Sequence, residues 1–172
     1  SIKSSLVEGK KIFFENNNEF KFLNVLGQEY KLNKYSTFQL QTSKHPGSRG
    51  NSYLDLFDGN LFIVSADGII SFIDKSDLYS QKKEITGQIL KSKIKKIIKF
   101  DLFYQDSQFG IKDILIHNNK LFLSYTNKLK EDCYNTAILY SEINLNYLEF
   151  KNFFINEQCI SKRKVDEFNA HQ

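Results

Sequence analysis

Short runs in which apolar and polar residues alternate recur along the chain, and turn residues separate them. The clearest pair covers residues 110–117 and 121–126, with Asn118 and Asn119 between the two runs. Alternation with a period of two is typical of half-buried strands, and a two-residue asparagine turn favours a β-hairpin. The pattern therefore predicts a hairpin that turns at Asn118 and Asn119.

A similar hairpin is predicted upstream, from residues 53–57 and 61–64 around a turn at residues 58–60. Leu61-Phe62 and Leu121-Phe122 occupy equivalent points, 60 residues apart. Repetition at this period indicates stacked sheets such as the blades of a β-propeller. Each hairpin is followed by a predicted third strand, at residues 69–73 and 136–143.

The connections to these third strands differ. Asp67 and Gly68 form a short turn before residues 69–73, because both residue types tolerate positive φ. Before residues 136–143 we predict a longer polar loop over residues 127–135.

The remaining segments give weaker signals. Residues 11–14, 20–25 and 35–40 are aromatic and β-branched runs, typical of strands. Residues 94–104 are predicted as another strand, with a helix on Ile94, Ile97 and Ile98 as the alternative.

Each predicted strand has one candidate row of core side chains. The two predicted rows are Leu56, Leu61, Ile63, Ile70 and Phe72 in the first blade and Ile114, Ile116, Leu121, Leu123 and Ile138 in the second.

The predicted fold class is all-β, a single incomplete domain over residues 1–172 built from antiparallel blades. At one blade per 60 residues the chain holds about three blades, whereas about four to eight blades close a ring. Two apolar sheet faces should then remain open, which favours a homo-oligomer. We expect the chain to be the N-terminal part of a longer protein.

Composition and charge exclude several classes. The 172 residues are 41% hydrophobic, as in a globular protein, and no run approaches the ~18 apolar residues of a membrane span. The net charge is +4, but only Arg49 and Arg163 among the 24 basic residues are arginine. Phosphate recognition favours arginine, so we expect no nucleic-acid partner. The lysines of residues 91–99 are predicted to form a solvated face over buried isoleucines.

The hairpin at residues 110–126 carries a family resemblance. Its glycine, apolar residue and Asp113, then His117, then the run from Leu121 to Thr126, resemble a blade of the glucose/sorbosone dehydrogenases. These are soluble quinoprotein sugar dehydrogenases with six-bladed propellers, and in them a catalytic His-Gln or His-Asn follows some tens of residues later. This chain ends in His171-Gln172. The resemblance covers roughly residues 105–172.

The resemblance implies an activity for the parent protein. His171 would be the general base that takes the C1 hydroxyl proton of an aldose while hydride passes to pyrroloquinoline quinone, and Gln172 would contact the cofactor. Calcium is implied as well. The Gly-Arg continuation and the later blades of the family are absent from this sequence, so we expect the chain alone to bind no cofactor and to be inactive. The alternative is a non-catalytic propeller-type binding module.

The other candidate residues favour structural roles. His117 stands at a hairpin mouth and is predicted to be a rim histidine, and His45 lies in a polar loop beside the only proline. Asp55, Asp58 and Gly59 lack the later ligands of a calcium loop and indicate a turn. With three dispersed histidines we expect no metal site formed by this chain alone.

Cys133 and Cys159 are the only two cysteines, and each is predicted to lie in a polar loop. An even count in polar surroundings favours a disulfide over buried free thiols. A disulfide requires an oxidising compartment, so we expect a periplasmic or secreted protein, as the resemblance also implies.

Overall fold

The computed structural model describes residues 11–36, 52–80, 82–105 and 109–161, and most of its regular structure is antiparallel strand. The predicted all-β class is confirmed, because the three helices span only four to six residues each. In chain order the elements are β1 (Lys11–Val25), β2 (Gln28–Ser36), β3 (Ser52–Phe57), β4 (Asn60–Ser65), β5 (Ile70–Asp74), α1 (Lys75–Tyr79), β6 (Glu84–Ile89), β7 (Lys91–Ser92), α2 (Ile94–Ile97), α3 (Phe100–Gln105), β8 (Ile111–His117), β9 (Lys120–Lys130), β10 (Cys133–Glu142), β11 (Tyr147–Leu148) and β12 (Lys151–Ile155).

Two antiparallel sheets account for most of these strands. The first sheet has six strands in the order β2-β1-β6-β5-β4-β3, and the second has four in the order β12-β10-β9-β8. β7 and β11 form a short parallel pair. The edge strands β3 and β8 lie next to each other, where the two sheets meet.

Both predicted hairpins are present with the predicted turns. Asn118 and Asn119 have φ values of 47° and 59°, as a type I′ turn requires. In the upstream hairpin the two turn residues are Asp58 and Gly59, with φ values of 47° and 74°, and Asn60 already begins β4. The turn at Asp67 and Gly68 also precedes a strand as predicted.

The polar loop predicted over residues 127–135 is wrong. β9 and β10 continue through these residues, and only Glu131 and Asp132 lie between the strands. Asn127 and Asn135 face each other across the ladder, where Asn127 Nδ2 donates to Asn135 Oδ1 at 3.3 Å. Cross-strand pairing satisfies amides that in the sequence alone resemble loop residues.

The main hydrophobic core, called the inner core below, lies between the two sheets. It consists of side chains from β4, β5, β8, β9, β10 and β11, together with the helical segment over residues 94–100 and the residues next to β7 and β11. Its buried residues are Phe62, Val64, Ile70, Phe72, Leu90, Ile94, Ile98, Phe100, Ile111, Leu121, Leu123, Tyr125, Ala137, Leu139, Leu148 and Phe150.

The predicted core rows are correct in part. Leu121 and Leu123 are fully buried in the inner core, and Ile114 and Ile116 pack against it. Leu56, in contrast, is 56% exposed. The alternation was right, but a period of two does not say which face of an edge strand is covered.

Two further core assignments differ from the prediction. Leu61 and Ile63 belong to a second cluster on the opposite face of the first sheet, while Ile70 and Phe72 lie in the inner core. The central strands of this sheet are buried on both faces, so one row per strand was too few. Ile138 is half-buried on the face of the second sheet opposite the inner core.

The strand predicted over residues 94–104 is wrong, and the helical alternative is correct. α2 and α3 occupy this segment. The Ile98 N–H donates to the Ile94 carbonyl at 2.9 Å, and both side chains are buried while Ile97 is 36% exposed. Residues four apart share one helix face, and the lysines between them are exposed as predicted.

The N-terminal strands are longer than predicted. β1 continues through Asn16–Asn18 with a register shift, and β2 begins at Gln28, where no strand was predicted before residue 35. Beyond the pairing with β6, which ends at Glu15, β1 and β2 form a two-stranded ribbon with exposed apolar side chains. In the strand predicted over residues 35–40, residues 37–40 lie outside the described residues.

Candidate functional site

Each sheet has two faces that can be defined by its hairpin. The phenylalanine face of the first sheet carries Phe62, and that of the second sheet carries Phe122. The leucine faces, on the opposite sides, carry Leu61 and Leu121. Phe62 pairs with Asp55 and Phe122 with Leu115, at the same distance from each turn.

The two sheets stack in the same orientation. Phe62 lies in the inner core and therefore on the phenylalanine face of the first sheet, and it meets the leucine face of the second sheet through Leu121 and Leu123. The phenylalanine face of the second sheet consequently points away from the first sheet. The similarity between sequence segments 60 residues apart thus corresponds to two hairpins whose phenylalanine faces point in the same direction.

The phenylalanine face of the second sheet carries the candidate functional site. A cavity of about 330 Å³ opens there, and most of the surface that it exposes is apolar. Leu115 and Phe153 are 58% and 62% exposed on this face. Apolar side chains at such exposure, grouped together, indicate a binding surface.

An aromatic group organises this face. The ring of Phe122 lies 5.2 Å from that of Phe153 and 6.1 Å from that of Tyr140, measured between centroids. The ammonium group of Lys120 lies 5.8 Å from the Tyr140 centroid and 3.3 Å from the Glu142 carboxylate. A charged rim therefore borders an aromatic centre, as in many protein interfaces.

Polar side chains mark the β8 edge of the same cavity. Asp113, His117 and Ser124 line it. His117 is the last residue of β8, exposed and paired with Lys120, so it is a rim histidine as predicted. These groups can bind polar atoms of a partner that also contacts the aromatic centre.

Asp55 joins the two sheets at their adjacent edges. Its Oδ1 accepts the N–H of Leu56 at 2.8 Å, and its Oδ2 accepts the N–H of Ile116 at 2.6 Å. The second bond connects β3 to β8 across 61 positions in the sequence. Asp55 was predicted to lie in the strand before the turn, without a partner in the second sheet; a carboxylate in the middle of an apolar strand was the available signal.

Two buried polar residues stabilise the turn between β4 and β5. Ser65 and Asp67 are 0% and 6% exposed. The Ser65 hydroxyl donates to Asp67 Oδ1 at 2.5 Å and accepts the N–H of Ile69 at 2.9 Å. These bonds replace the water that the groups lose on burial, so this pair has a structural role.

Among the residues that the structure describes, three side chains have a shifted pKa. Hydrogen bonds from the Ser76 hydroxyl and backbone N–H lower the pKa of Asp74. Burial raises the pKa of the Tyr125 hydroxyl, and the hydrogen bond to Glu131 raises the pKa of Lys128. Asp74 and Lys128 lie away from the candidate site, and Tyr125 lies in the inner core, so these shifts report local structure.

Cys133 and Cys159 are paired as a disulfide, with Cα atoms 5.1 Å apart. The polar-loop assignment is wrong for Cys133, which is 2% exposed and begins β10, whereas Cys159 lies in the exposed segment after β12. Reciprocal backbone bonds between Tyr134 and Ile160 hold the two segments together. Such a disulfide is compatible with a secreted protein.

The residues predicted to act on the sugar and the quinone are not among those described. His171 and Gln172 lie outside the described ranges, and so does His45, which was predicted to lie in a polar loop. Within the described ranges, no group of three or more His, Cys, Asp or Glu side chains could hold a metal ion. None of the helices in the part of the chain that the structure describes is long and apolar enough to cross a membrane.

Comparisons with known proteins show a partial structural similarity. No family model and no curated protein matches the chain. A solved structure described as a crystal structure of glucose dehydrogenase aligns with 64% of this chain at a TM-score of 0.44 and 16% identity. The alignment spans 31% of that structure, about a third of its length. The chain is therefore similar in part to a glucose dehydrogenase structure.

Proposed function

We propose that this chain is the N-terminal portion of a quinoprotein sugar dehydrogenase-like protein. Its stacked sheets would form about half of the six-bladed propeller of that protein. The observation that carries the proposal is the β8–β9 hairpin, whose Asp113, His117 and following apolar strand resemble a blade of that family. The shared orientation of the two sheets supports it, since propeller blades repeat in one orientation around their ring.

In this proposal the substrate is an aldose, and the complete protein binds pyrroloquinoline quinone and calcium. The quinone supplies the hydride acceptor when bound. His171 would take the proton of the C1 hydroxyl group, and the quinone would supply the acceptor for the C1 hydride, so that C1 would become a carbonyl carbon. Neutral imidazole suits this step because its pKa lies near the operating pH. Gln172 contacts the cofactor.

The test uses the complete polypeptide that contains this chain, supplied with quinone and calcium and assayed by dye reduction with a panel of aldoses. We expect turnover with at least one aldose and a quinone absorption spectrum in the purified protein. His171→Ala should abolish turnover and retain the bound quinone, whereas the control Ser80→Ala, at the exposed end of α1, should retain turnover. Absence of both turnover and a quinone spectrum would eliminate the dehydrogenase proposal.

A non-catalytic propeller-type binding module is the second candidate. The ribbon of β1 and β2 favours it, because Phe20, Phe22 and Val25 are each at least 50% exposed there. A two-stranded ribbon is only marginally stable by itself, and a binding partner would cover these side chains. Failure of the quinone assay with retention of a stable fold would favour this candidate.

The proposal also includes the location and the assembly of the chain. The disulfide supports export to the periplasm or to the cell exterior. The exposed apolar sheet faces support self-association of the chain when it is isolated from other sheets.

A further inference from the structure

The open phenylalanine face of the second sheet has a covered counterpart within the same chain. On the first sheet, Tyr53 and Phe57 pack against the inner core, and the second sheet covers them. The residues at the same distance from the turn in β8 are Asp113 and His117, and both are exposed. Leu115, which corresponds to Asp55, is 58% exposed. No described residue covers this face as the second sheet covers the first.

On the leucine faces the difference in coverage is reversed: the face of the second sheet is covered at β8, and that of the first sheet is exposed at β3. Ile114 and Ile116 of β8 pack against the inner core, where the first sheet covers them. Their counterparts on β3 are Leu54 and Leu56, which are 61% and 56% exposed. An apolar cavity of about 280 Å³ lies beside Leu54 and is also lined by Leu61 and Leu78.

The chain therefore carries both halves of an interface that it already forms once internally. Inside the chain, a phenylalanine face meets a leucine face and Asp55 accepts a backbone N–H from the neighbouring edge strand. Two surfaces remain uncovered by described residues: the phenylalanine face of the second sheet, and the leucine face of the first sheet where it includes β3. We propose that, when the chain is isolated from other sheets, a second copy docks head to tail, its Leu54 and Leu56 against Leu115, Phe122 and Phe153 of the first copy.

The polar groups at the edge fit this occupant. Asp113 lies on the exposed side of β8, two residues from the position that corresponds to Asp55, and presents a carboxylate to the docked strand. β3 is an edge strand of the first sheet, and edge strands offer unpaired backbone groups. An N–H of β3 in the second copy is therefore the donor that Asp113 would meet. Like most interfaces, the contact combines an apolar centre with a hydrogen-bonding rim.

The head-to-tail arrangement is heterologous, because the two copies use different surfaces. This distinguishes it from a two-fold dimer in which the phenylalanine face meets itself. The inference deepens the proposed self-association and rests on it. It does not involve quinone or sugar, so its failure and the failure of the dehydrogenase proposal are separately visible.

Two single substitutions on matched edge strands test the arrangement. Leu115→Asp places a charge on the phenylalanine face, and Leu54→Asp places the same charge on the leucine face, at exposures of 58% and 61% in the native protein. Sedimentation velocity over a range of concentrations should show association for the native chain and loss of association for each variant. An equimolar mixture of the two variants should restore a dimer and nothing larger, since one intact interface remains between them.

Several outcomes would overturn the head-to-tail interface. A native chain that stays monomeric at high concentration removes it. Association that survives Leu54→Asp but not Leu115→Asp indicates a two-fold contact of the phenylalanine face. Loss of association in the control Leu26→Asn, which alters the exposed turn of the ribbon, assigns the contact to that ribbon instead.

Folding of the variants must be monitored separately. Far-UV circular dichroism and cooperative urea unfolding should match those of the native chain, and the milder pair Leu54→Asn and Leu115→Asn serves if either aspartate variant unfolds. In folded protein, Asp113→Ala should weaken association by about tenfold, the effect of losing one hydrogen bond to a charged group. An unchanged dissociation constant in Asp113→Ala would remove the carboxylate from the interface.

Discussion

Gly68 and Gly59 have similar backbone conformations in different surroundings. Their φ values are +86° and +74°, in the left-handed region that disfavours L side chains. A Cβ at Gly59 would meet nothing within 4 Å, whereas a Cβ at Gly68 would overlap the ring of Phe100. Phe100 is buried in the inner core, so its ring has little room to move.

Substitution of these two glycines separates backbone strain from steric overlap. Gly59→Ala should lower the free energy of unfolding by about 1 kcal/mol through the positive φ alone. Gly68→Ala should lower the free energy of unfolding by about 1–3 kcal/mol more than Gly59→Ala, because an extra methyl group in a packed core displaces its neighbours. Urea unfolding of both variants measures the difference, and equal losses would show that the Phe100 ring yields without cost.

Asp74 is the N-cap residue of α1 and should respond to acid through its contact with Ser76. Its carboxylate accepts the Ser76 hydroxyl at 2.7 Å and the Ser76 N–H at 2.8 Å, and these bonds lower its pKa below 3.8. A lowered pKa means that the ionised form stabilises the fold above pH 3.8, and that this contribution is lost as the pH falls through the folded-state pKa.

Ser76→Ala should therefore raise the pKa of Asp74 toward its ordinary value. NMR titration of the Asp74 carboxyl carbon measures the shift. Ser80→Ala is the matched control, because the Ser80 hydroxyl donates to the Asp77 carbonyl at the other end of α1 and does not touch Asp74. A similar shift in both variants would mean that the Ser76 hydroxyl is not the main cause.

Between strands, the clearest prediction concerns the two aspartates on the edges of the sheets. Asp55 connects β3 to β8 through the N–H of Ile116, whereas the Asp113 carboxylate accepts the N–H of its own neighbour Ile114. Asp55→Ala should lower the free energy of unfolding by about 1.5–3 kcal/mol, since it leaves a partly buried N–H without its charged acceptor.

Asp113→Ala, measured under conditions where the chain is monomeric, should change the free energy of unfolding by less than about 0.5 kcal/mol. Amide exchange provides a second measurement, because the Ile116 N–H should lose protection in Asp55→Ala and keep it in Asp113→Ala. Retained protection of Ile116 in Asp55→Ala would contradict the contact between the edges.

For the molecule as a whole, the disulfide is the strongest single constraint. It joins residues separated by 26 positions and connects β10 to the segment that follows β12. Closing a loop of this length should stabilise the fold by about 3 kcal/mol through the unfolded chain. Cys133→Ala/Cys159→Ala should lose this amount, and slightly more for the buried Cys133 side chain.

Urea unfolding of the double variant and of the reduced native chain gives the comparison. Mass spectrometry of the unreduced protein should find no free thiols, and two free thiols would remove both the disulfide and the argument for export. The single variants are poor controls, since each leaves a free thiol that can form intermolecular bonds.

Local sequence was sufficient for the hairpins and their turns. Asn118-Asn119 and Asp58-Gly59 tolerate positive φ, and alternating apolar residues flank them, so the preferences of adjacent residues specify these elements without the rest of the molecule. Part of the candidate site could be predicted from the sequence for the same reason. His117 follows from its place before the turn, whereas the roles predicted for His171 and Gln172 stay predictions.

The tertiary structure decided which face of each strand is covered. Phe62 and Phe122 have the same place in their hairpins, yet Phe62 is fully buried and Phe122 lies on an accessible face. The difference arises because the second sheet packs on one of them, and a period of two identifies two faces without naming their neighbours. The same reason applies to Asp55, whose partner lies 61 residues away, and to Ile94 and Ile98, whose burial in the inner core selects a helix over a strand. Packing between residues that are distant in the sequence determines these features, so a short stretch of adjacent residues cannot predict them.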